Sequence, residues 1–204
     1  GKGPSKKRST ETVQGSKAPE FVVLSVDKKR TTSRPPAPFI TSTRQQGASS
    51  RLGMGAQRAM RIAQTLYEAG HITYMRTDST NLSAEALAMA RSFVTQTYGA
   101  KYVPDKPNYY SSSNKTAQDA HEAIRPTDAS FTPEAAFAKL GADEAKVYGL
   151  IWKRFLACQM TPAEFDQTSV NIGTKDTKIG AIFRTTGRKL VFDGFRKVAG
   201  VSSD

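Results

Sequence analysis

Hydrophobic positions along this chain change their period twice. In "EFVVLSVDKKR", Val22, Val23, Leu24 and Val26 form a short apolar run bounded by charge, which predicts a strand. "TTSRPPAPF" follows, and its three prolines forbid helix and favour extended backbone. From about residue 42 to residue 160, apolar residues recur instead at three- and four-residue intervals. "STRQ" offers a capping box of Ser42 with Gln45, opening a helix toward Arg51 that Gly47 weakens. "GAQRAMRIAQTLYEAG" places Ala59, Ile62, Ala63 and Leu66 on one face, and Gly70 supplies a stop. The next helix takes Ser83 as N-cap, flanked by Leu82 and Leu87 as a hydrophobic staple. It buries Leu87, Ala90, Val94 and Tyr98 and ends at Gly99. Thr132 caps a short helix with Pro133 in its first position. "DEAKVYGLIWKRFLACQM" then buries Val147, Leu150, Ile151, Phe155 and Cys158. After Thr161, "FDQTSVNIG" and "KIGAIFRTTGRKLVF" alternate β-branched and aromatic residues with polar ones, joined by "TKDT" as a turn.

This order predicts a mixed α and β fold, with a helical domain inserted into a β domain formed by both ends of the chain. The expected boundaries are 20–41 with 161–204 for the β domain and 42–160 for the helical one. Residues 1–19, polar and basic without periodicity, are expected to be a flexible lead. "PDKPNYYSSSNKTAQ" reads as an exposed loop. Trp152 and the single cysteine, Cys158, read as core.

Charge changes the picture more than composition does. The 30 Lys and Arg against 18 acids give +12, and residues 1–35 alone hold nine of the bases and three of the acids. A polyanion partner is expected, nucleic acid first. One cysteine excludes a disulfide framework and any multi-cysteine zinc site, and two histidines are too few for a histidine-rich metal site. No apolar run approaches the ~18 residues of a membrane span. Neither a membrane nor a small-molecule substrate is expected, and the location expected is cytoplasmic.

Two stretches carry candidate chemistry. In "GHITYMRTDST", Tyr74, Arg76 and Asp78 would point to one face if the backbone were extended. A tyrosine hydroxyl, with its ordinary pKa of ~10, needs help to act as a nucleophile. Arg76 suits two oxygens of one phosphate, and Asp78 could orient it. On spacing alone the ordinary reading, a packed ring with a polar tip, is favoured. In "AQDAHEAIRPTD", His121 and Arg125 would share a face if the segment were helical, making a candidate phosphate-holding pair. Its ordinary reading is an exposed turn with an Arg–Glu pair.

Together these stretches resemble type IA DNA topoisomerases of the bacterial topoisomerase I group. "ITYMRTDSTNLS" is similar to the family's active-site segment and "AHEAIRPTD" to its companion motif. "PFITSTRQQ", "AQRAMRIAQTLYEAGHITYMRTDS" and "FRTTGRKLVFDGFRKV" stand in the family's order, so the resemblance covers roughly residues 21–198. It implies that Tyr74 attacks a phosphodiester of single-stranded DNA and forms a 5′-phosphotyrosine. Strand passage and religation would follow, relaxing negative supercoils without a nucleotide triphosphate. Arg76 matches the arginine on the scissile phosphate, Asp78 an acid supporting the site, and His121 a histidine contacting DNA near the break. Thr77, Arg125, Gln64, Glu68 and Thr73 match motif positions around them, the first four counted with Arg76 and His121 as DNA-binding.

The resemblance also implies what this chain lacks. The family binds Mg²⁺ through an acidic Toprim domain and holds single strands with a further domain. No D-x-D-x-E triplet occurs in these 204 residues. The expectation is therefore a fragment comprising the tyrosine domain and the β hinge of the family's toroidal arch, in a nucleoid-associated enzyme. No metal is expected on the chain itself, and the fragment alone should not relax DNA. Arg44 departs from the family pattern, which has an apolar residue there. The alternative is a non-catalytic single-stranded nucleic-acid-binding module with Tyr109 and Tyr110 as stacking platforms. A recombinase-like or nicking tyrosine is a further rival, distinguished by the DNA end that carries the adduct.

Overall fold

Eleven of the seventeen residues of the longest helix are buried, on all but the stripe that carries Lys146 and Lys153, because other elements surround it. In this computed structural model, which describes residues 20–110, 121–174 and 182–200, that helix is α5 (Ala142–Cys158). Before it come β1 (Phe21–Ser33), α1 (Thr41–Leu52), α2 (Ala56–Glu68), α3 (Ala84–Tyr98) and α4 (Pro133–Lys139). After it come β2 (Ala163–Thr174), β3 (Ile182–Phe192) and the short α6 (Arg196–Ala199). The fold is mixed α and β, with one three-stranded antiparallel sheet in the order β1-β2-β3. Its central strand therefore pairs with a strand from the far side of the helical block. The expected leader 1–19 and the "TKDT" turn fall wholly or mostly outside the described residues.

The chain divides into two compact units, one from residues 1–29 and 166–188, the other from 30–165 and 189–204. This partition differs from the one expected at 41/42 and 160/161. The strand residues 30–33, 163–165 and 189–192 go with the helices because Ala163 and Phe165 are buried there and Phe192 packs on the helical core. Within the first unit, the Asn171 amide donates to Ser25 Oγ at 2.8 Å, and the Ser169 and Thr186 hydroxyls pair at 3.2 Å. Phe21 meets Phe183 edge-on, centroids 5.8 Å apart.

In the second unit, α5 supplies the centre. The Trp152 indole donates to the Ala129 carbonyl at 2.9 Å, and the Tyr148 hydroxyl to that of Phe131 at 2.6 Å, so both buried polar tips are satisfied. Cys158 is buried, and burial pushes its thiol up to about 12, so it sits as a neutral apolar group. Ala59, Ala63 and Leu66 of α2 and Leu87, Ala90 and Val94 of α3 face the core as their spacing predicts, while Ile62 and Tyr98 are only partly covered. Ser83 Oγ accepts from the Ala86 amide and Thr132 Oγ1 from that of Ala135, as expected of N-caps.

Two local expectations are corrected. The helix α1 starts at Thr41 with Ile40 as its N-cap, not at Ser42 with Gln45: the Ile40 amide donates to Thr43 Oγ1 at 3.1 Å. The cause is the tethering of Thr41 to a neighbouring segment, described below. Gly47 of α1 also admits the Phe39 ring, since a Cβ there would lie 3.1 Å from Phe39 Cζ. Tyr110 is not an exposed platform: its hydroxyl donates to the Cys158 carbonyl at 2.8 Å, and burial pushes its pKa up. Tyr109 is 79% exposed, as expected.

Candidate functional site

Gly70, at φ +79°, ends α2 and turns the chain so that the His71 amide donates back to the Leu66 carbonyl at 2.9 Å. Residues 71–80 then form an irregular segment with bends at His71, Thr73 and Met75. Ile72 pairs antiparallel with Pro126, and Phe39 with Ile124, each as an isolated bridge. The Thr73 amide donates to the Arg125 carbonyl (2.9 Å), the Arg125 amide to Thr73 Oγ1 (3.0 Å), and that hydroxyl to the Ala123 carbonyl (2.8 Å). Thr127 Oγ1 donates to the Gly70 carbonyl at 2.6 Å. The two stretches singled out by sequence are thus zipped side by side.

Thr41, the first residue of α1, fixes the other half of the tyrosine segment. Its amide donates to the Thr77 carbonyl, its hydroxyl lies 3.1 Å from the carbonyls of both Met75 and Thr77, and it accepts from the Thr77 amide at 2.9 Å. Met75 and Ser79 are buried, whereas Tyr74, Arg76 and Asp78 are exposed. The expected alternation is present, although the segment forms no regular strand. Hydroxyls of Thr41 and Thr73 take the hydrogen-bonding places that a ladder partner would otherwise fill.

Arg76, Thr77, Asp78 and His121 line one open groove of about 470 Å³, together with Thr41, Ser42 and Gln45 of α1. The N-terminus of α1 opens on that groove, with first-turn N–H groups that have no partner inside the helix. A guanidinium, an imidazole and a helix N-terminus border one space, chemistry that can engage a phosphate, with the Asp78 carboxylate beside them. Tyr74 stands beside the groove rather than in its wall. Its ring is 48% exposed and meets Tyr67 of α2 edge-on, with centroids 5.3 Å apart.

Arg125 is not brought into the groove. The helical turn that would pair it with His121 does not form: bridges from Ile124 to Phe39 and from Pro126 to Ile72 hold this segment. Its guanidinium bonds Glu122 at 2.9 Å, and Glu122 in turn accepts from the Ser83 amide at 2.7 Å. The Arg–Glu pair of the ordinary reading is found, but not on an exposed turn, since the Arg125 side chain is only 11% exposed. Gln64 and Glu68 bond each other at 2.9 Å on the exposed face of α2 that also carries Tyr67. His71 stacks on Phe131 at 5.0 Å, a packing role. Sequence reasoning passes over Tyr67, gives Gln45 only a capping role, and gives Thr41 none. The Thr41 clamp joins residues 36 apart and had no local signal.

Among the described residues no three His, Cys, Asp or Glu gather to hold a metal, and no helix is long and apolar enough to cross a membrane.

Comparisons with known proteins agree on one family. The family described as DNA topoisomerase matches residues 3–204. DNA topoisomerase 1 of Escherichia coli strain K12 is 51% identical over 178 residues, 87% of this chain and 20% of that protein. DNA topoisomerase 1 of Campylobacter jejuni is 46% identical over 203 residues, 96% of this chain and 28% of that protein. The structure of full-length topoisomerase I from Thermotoga maritima superposes with a TM-score of 0.78 at 42% identity, covering 90% of this chain and 30% of that one. The chain thus spans between a fifth and three tenths of these relatives, and across nearly its whole length the match holds: it belongs to the DNA topoisomerase family.

Proposed function

We propose that this chain is the part of a type IA DNA topoisomerase that presents the nucleophilic tyrosine, and that Tyr74 cleaves one DNA strand reversibly. The observation that carries the reading is the shared groove of Arg76, Thr77, Asp78 and His121 beside an exposed Tyr74. Tyr74 Oη attacks the phosphorus of a single-stranded segment in negatively supercoiled DNA. The new Oη–P bond replaces the P–O3′ bond, and the phenol proton ends on the departing 3′ oxygen. The 3′-hydroxyl later reverses the exchange, so no triphosphate is consumed. Arg76 and the α1 N-terminus hold the phosphate oxygens, His121 contacts the strand near the break, and Asp78 orients the site. Thr77, Gln64 and Glu68 are further DNA-contacting positions in this reading. Arg125 serves instead to hold the companion segment, through Glu122.

The described residues do not fit a Mg²⁺ site, and no step above runs through one. In this proposal Mg²⁺ belongs to a Toprim domain elsewhere in the polypeptide, which with a further DNA-binding domain completes the active site. Residues 20–41 with 161–204 would act as the hinge of the arch, and 42–160 as the inserted tyrosine-bearing domain, in a cytoplasmic, nucleoid-associated enzyme.

The test is adduct mapping in the full-length protein. Tyr74→Phe abolishes covalent attachment to single-stranded DNA while leaving binding nearly intact, and the wild-type adduct sits on a 5′ phosphate. A 3′ adduct, or an adduct persisting in the Phe variant, removes Tyr74 from this role. The 204-residue chain alone binds single-stranded DNA but does not relax plasmid, and relaxation by it would overturn the division of labour.

A further inference from the structure

The helix α1 borders two grooves. Thr41, Ser42 and Gln45 face the candidate cleavage groove, whereas Thr43, Gln46, Gly47 and Ser50 line a second groove of about 530 Å³ on an adjacent face of the helix. The second series follows the i, i+3, i+4, i+7 spacing of one helical face. Arg34, Arg51, Lys153 and Arg154 stand around this second space, and no acid lines it. Phe39 and Leu150 contribute apolar surface.

A ring of cations on a basic protein is ordinarily just a solvated surface. Arg154 argues otherwise. Its guanidinium lies over the Phe39 ring, 4.4 Å from the centroid, and its Nε is buried with no hydrogen-bond partner. Burial first, and then the positive charge of Arg51, hold its pKa below the ordinary value. A half-buried cation crowded by a like charge is stabilised most directly by an anion that enters the groove. Arg34, Arg51 and Lys153 are exposed around it and supply donors at the rim.

We propose that this groove is a second binding site for single-stranded DNA, in which backbone phosphate is held by Arg51, Lys153 and Arg154. The occupant is chosen by charge complementarity to a polyanion and by position, since one helix width, about 10 Å, separates the groove from the candidate cleavage groove. The strand that reacts at Tyr74 therefore has a second hold on the same helix. This inference rests on the proposed single-stranded DNA function.

The test is fluorescence anisotropy of a labelled oligothymidylate with the 204-residue chain over a salt series. The paired reversal Arg51→Glu/Lys153→Glu weakens binding about tenfold at low salt. It also reduces the slope of log K against log salt by about 1.4, for two lost phosphate contacts on a single strand. A charge-matched control, Lys28→Glu/Lys139→Glu, leaves the slope unchanged. If the paired reversal unfolds the chain, Lys153→Gln alone carries the test, with about half the slope change. Equal behaviour of groove variant and control, while Arg76→Ala still weakens binding, overturns the second site and leaves the proposed function standing. Failure of the wild-type chain to bind the oligonucleotide at all overturns both.

Discussion

The ring of Tyr74 rests edge-on against Tyr67, one residue before the end of α2, with centroids 5.3 Å apart and planes at 69°. An exposed phenol has little else to fix its direction, so this contact sets where Oη points. Such a pair contributes about 0.5–1.5 kcal/mol beyond area burial. In the full-length enzyme, Tyr67→Ala should slow formation of the covalent DNA adduct about two- to tenfold, with oligonucleotide affinity little changed. Tyr67→Phe, which keeps the ring, should restore the rate. An adduct rate unaffected by loss of the ring would show that Tyr74 is positioned by something else.

Glu122 makes the companion segment pH-sensitive. Burial alone would raise its carboxyl pKa, but hydrogen bonds from Ser83 and then Arg125 outweigh it and hold the carboxyl below its ordinary value. A depressed folded-state pKa means that the unfolded chain binds the proton more readily. The stabilisation is therefore complete above the ordinary carboxylate value of 4.5 and is lost as pH falls through the folded-state value. Thermal melts of wild type and Glu122→Gln should differ most at neutral pH and converge below the carboxylate range. A gap that stays constant down to strongly acidic pH would remove Glu122 as its source.

Arg44 is fully buried, yet its guanidinium has one partner among the described residues, Met60 Sδ at 3.5 Å, and Nε and Nη1 have none. Burial pulls its pKa down to about 10 from 12.5, so holding the charge at neutral pH opposes folding. Arg44→Leu should stabilise the chain by about 1–4 kcal/mol, the range seen when buried charges give way to packed apolar groups. The melting temperature should rise by roughly 2–4 °C per kcal/mol. A lower melting temperature would mean that the guanidinium has a compensating role at the base of α1.

How much of this was readable in the sequence depends on how local each signal is. The faces of α2, α3 and α5 and the caps at Ser83 and Thr132 follow from periodicity and short-range chemistry, and they were legible. So was the alternation of Tyr74, Arg76 and Asp78, which needs only an extended backbone. The Thr41 clamp, the Tyr67 contact and the tie from Glu122 to the Ser83 amide were not legible from the residues alone, although the Glu122–Arg125 pair was. Each depends on which distant segment lies alongside, and the isolated bridges that decide this leave no periodic trace. The helical pairing of His121 with Arg125 failed for the same reason: pairing with Phe39 and Ile72 overrode a plausible local turn. The resemblance supplied the names of the site residues, but Arg125 matches its motif while its guanidinium is spent on an internal ion pair.

Two glycines with positive φ separate backbone strain from steric clash. Gly53 closes α1 at φ +62°, and an added Cβ would meet nothing within 4 Å, so Gly53→Ala should cost only the left-handed penalty, about 1 kcal/mol. Gly194, at φ +50°, follows β3, where an added Cβ would lie 2.3 Å from the Pro162 carbonyl oxygen, which cannot swing aside as a side chain could. Accommodating it would pull apart the hydrogen bond from the Phe195 amide to the Thr161 carbonyl (2.9 Å). It would also strain the bond from the Tyr102 hydroxyl to Asp193 Oδ1 (2.8 Å). Gly194→Ala should therefore destabilise the chain by about 3 kcal/mol, strain and lost hydrogen bonding combined. Denaturant midpoints of the two variants, read at unchanged slope, check the ordering. Equal losses at both positions would mean that the β3–α6 turn yields freely and that the close approach to Pro162 carries no constraint.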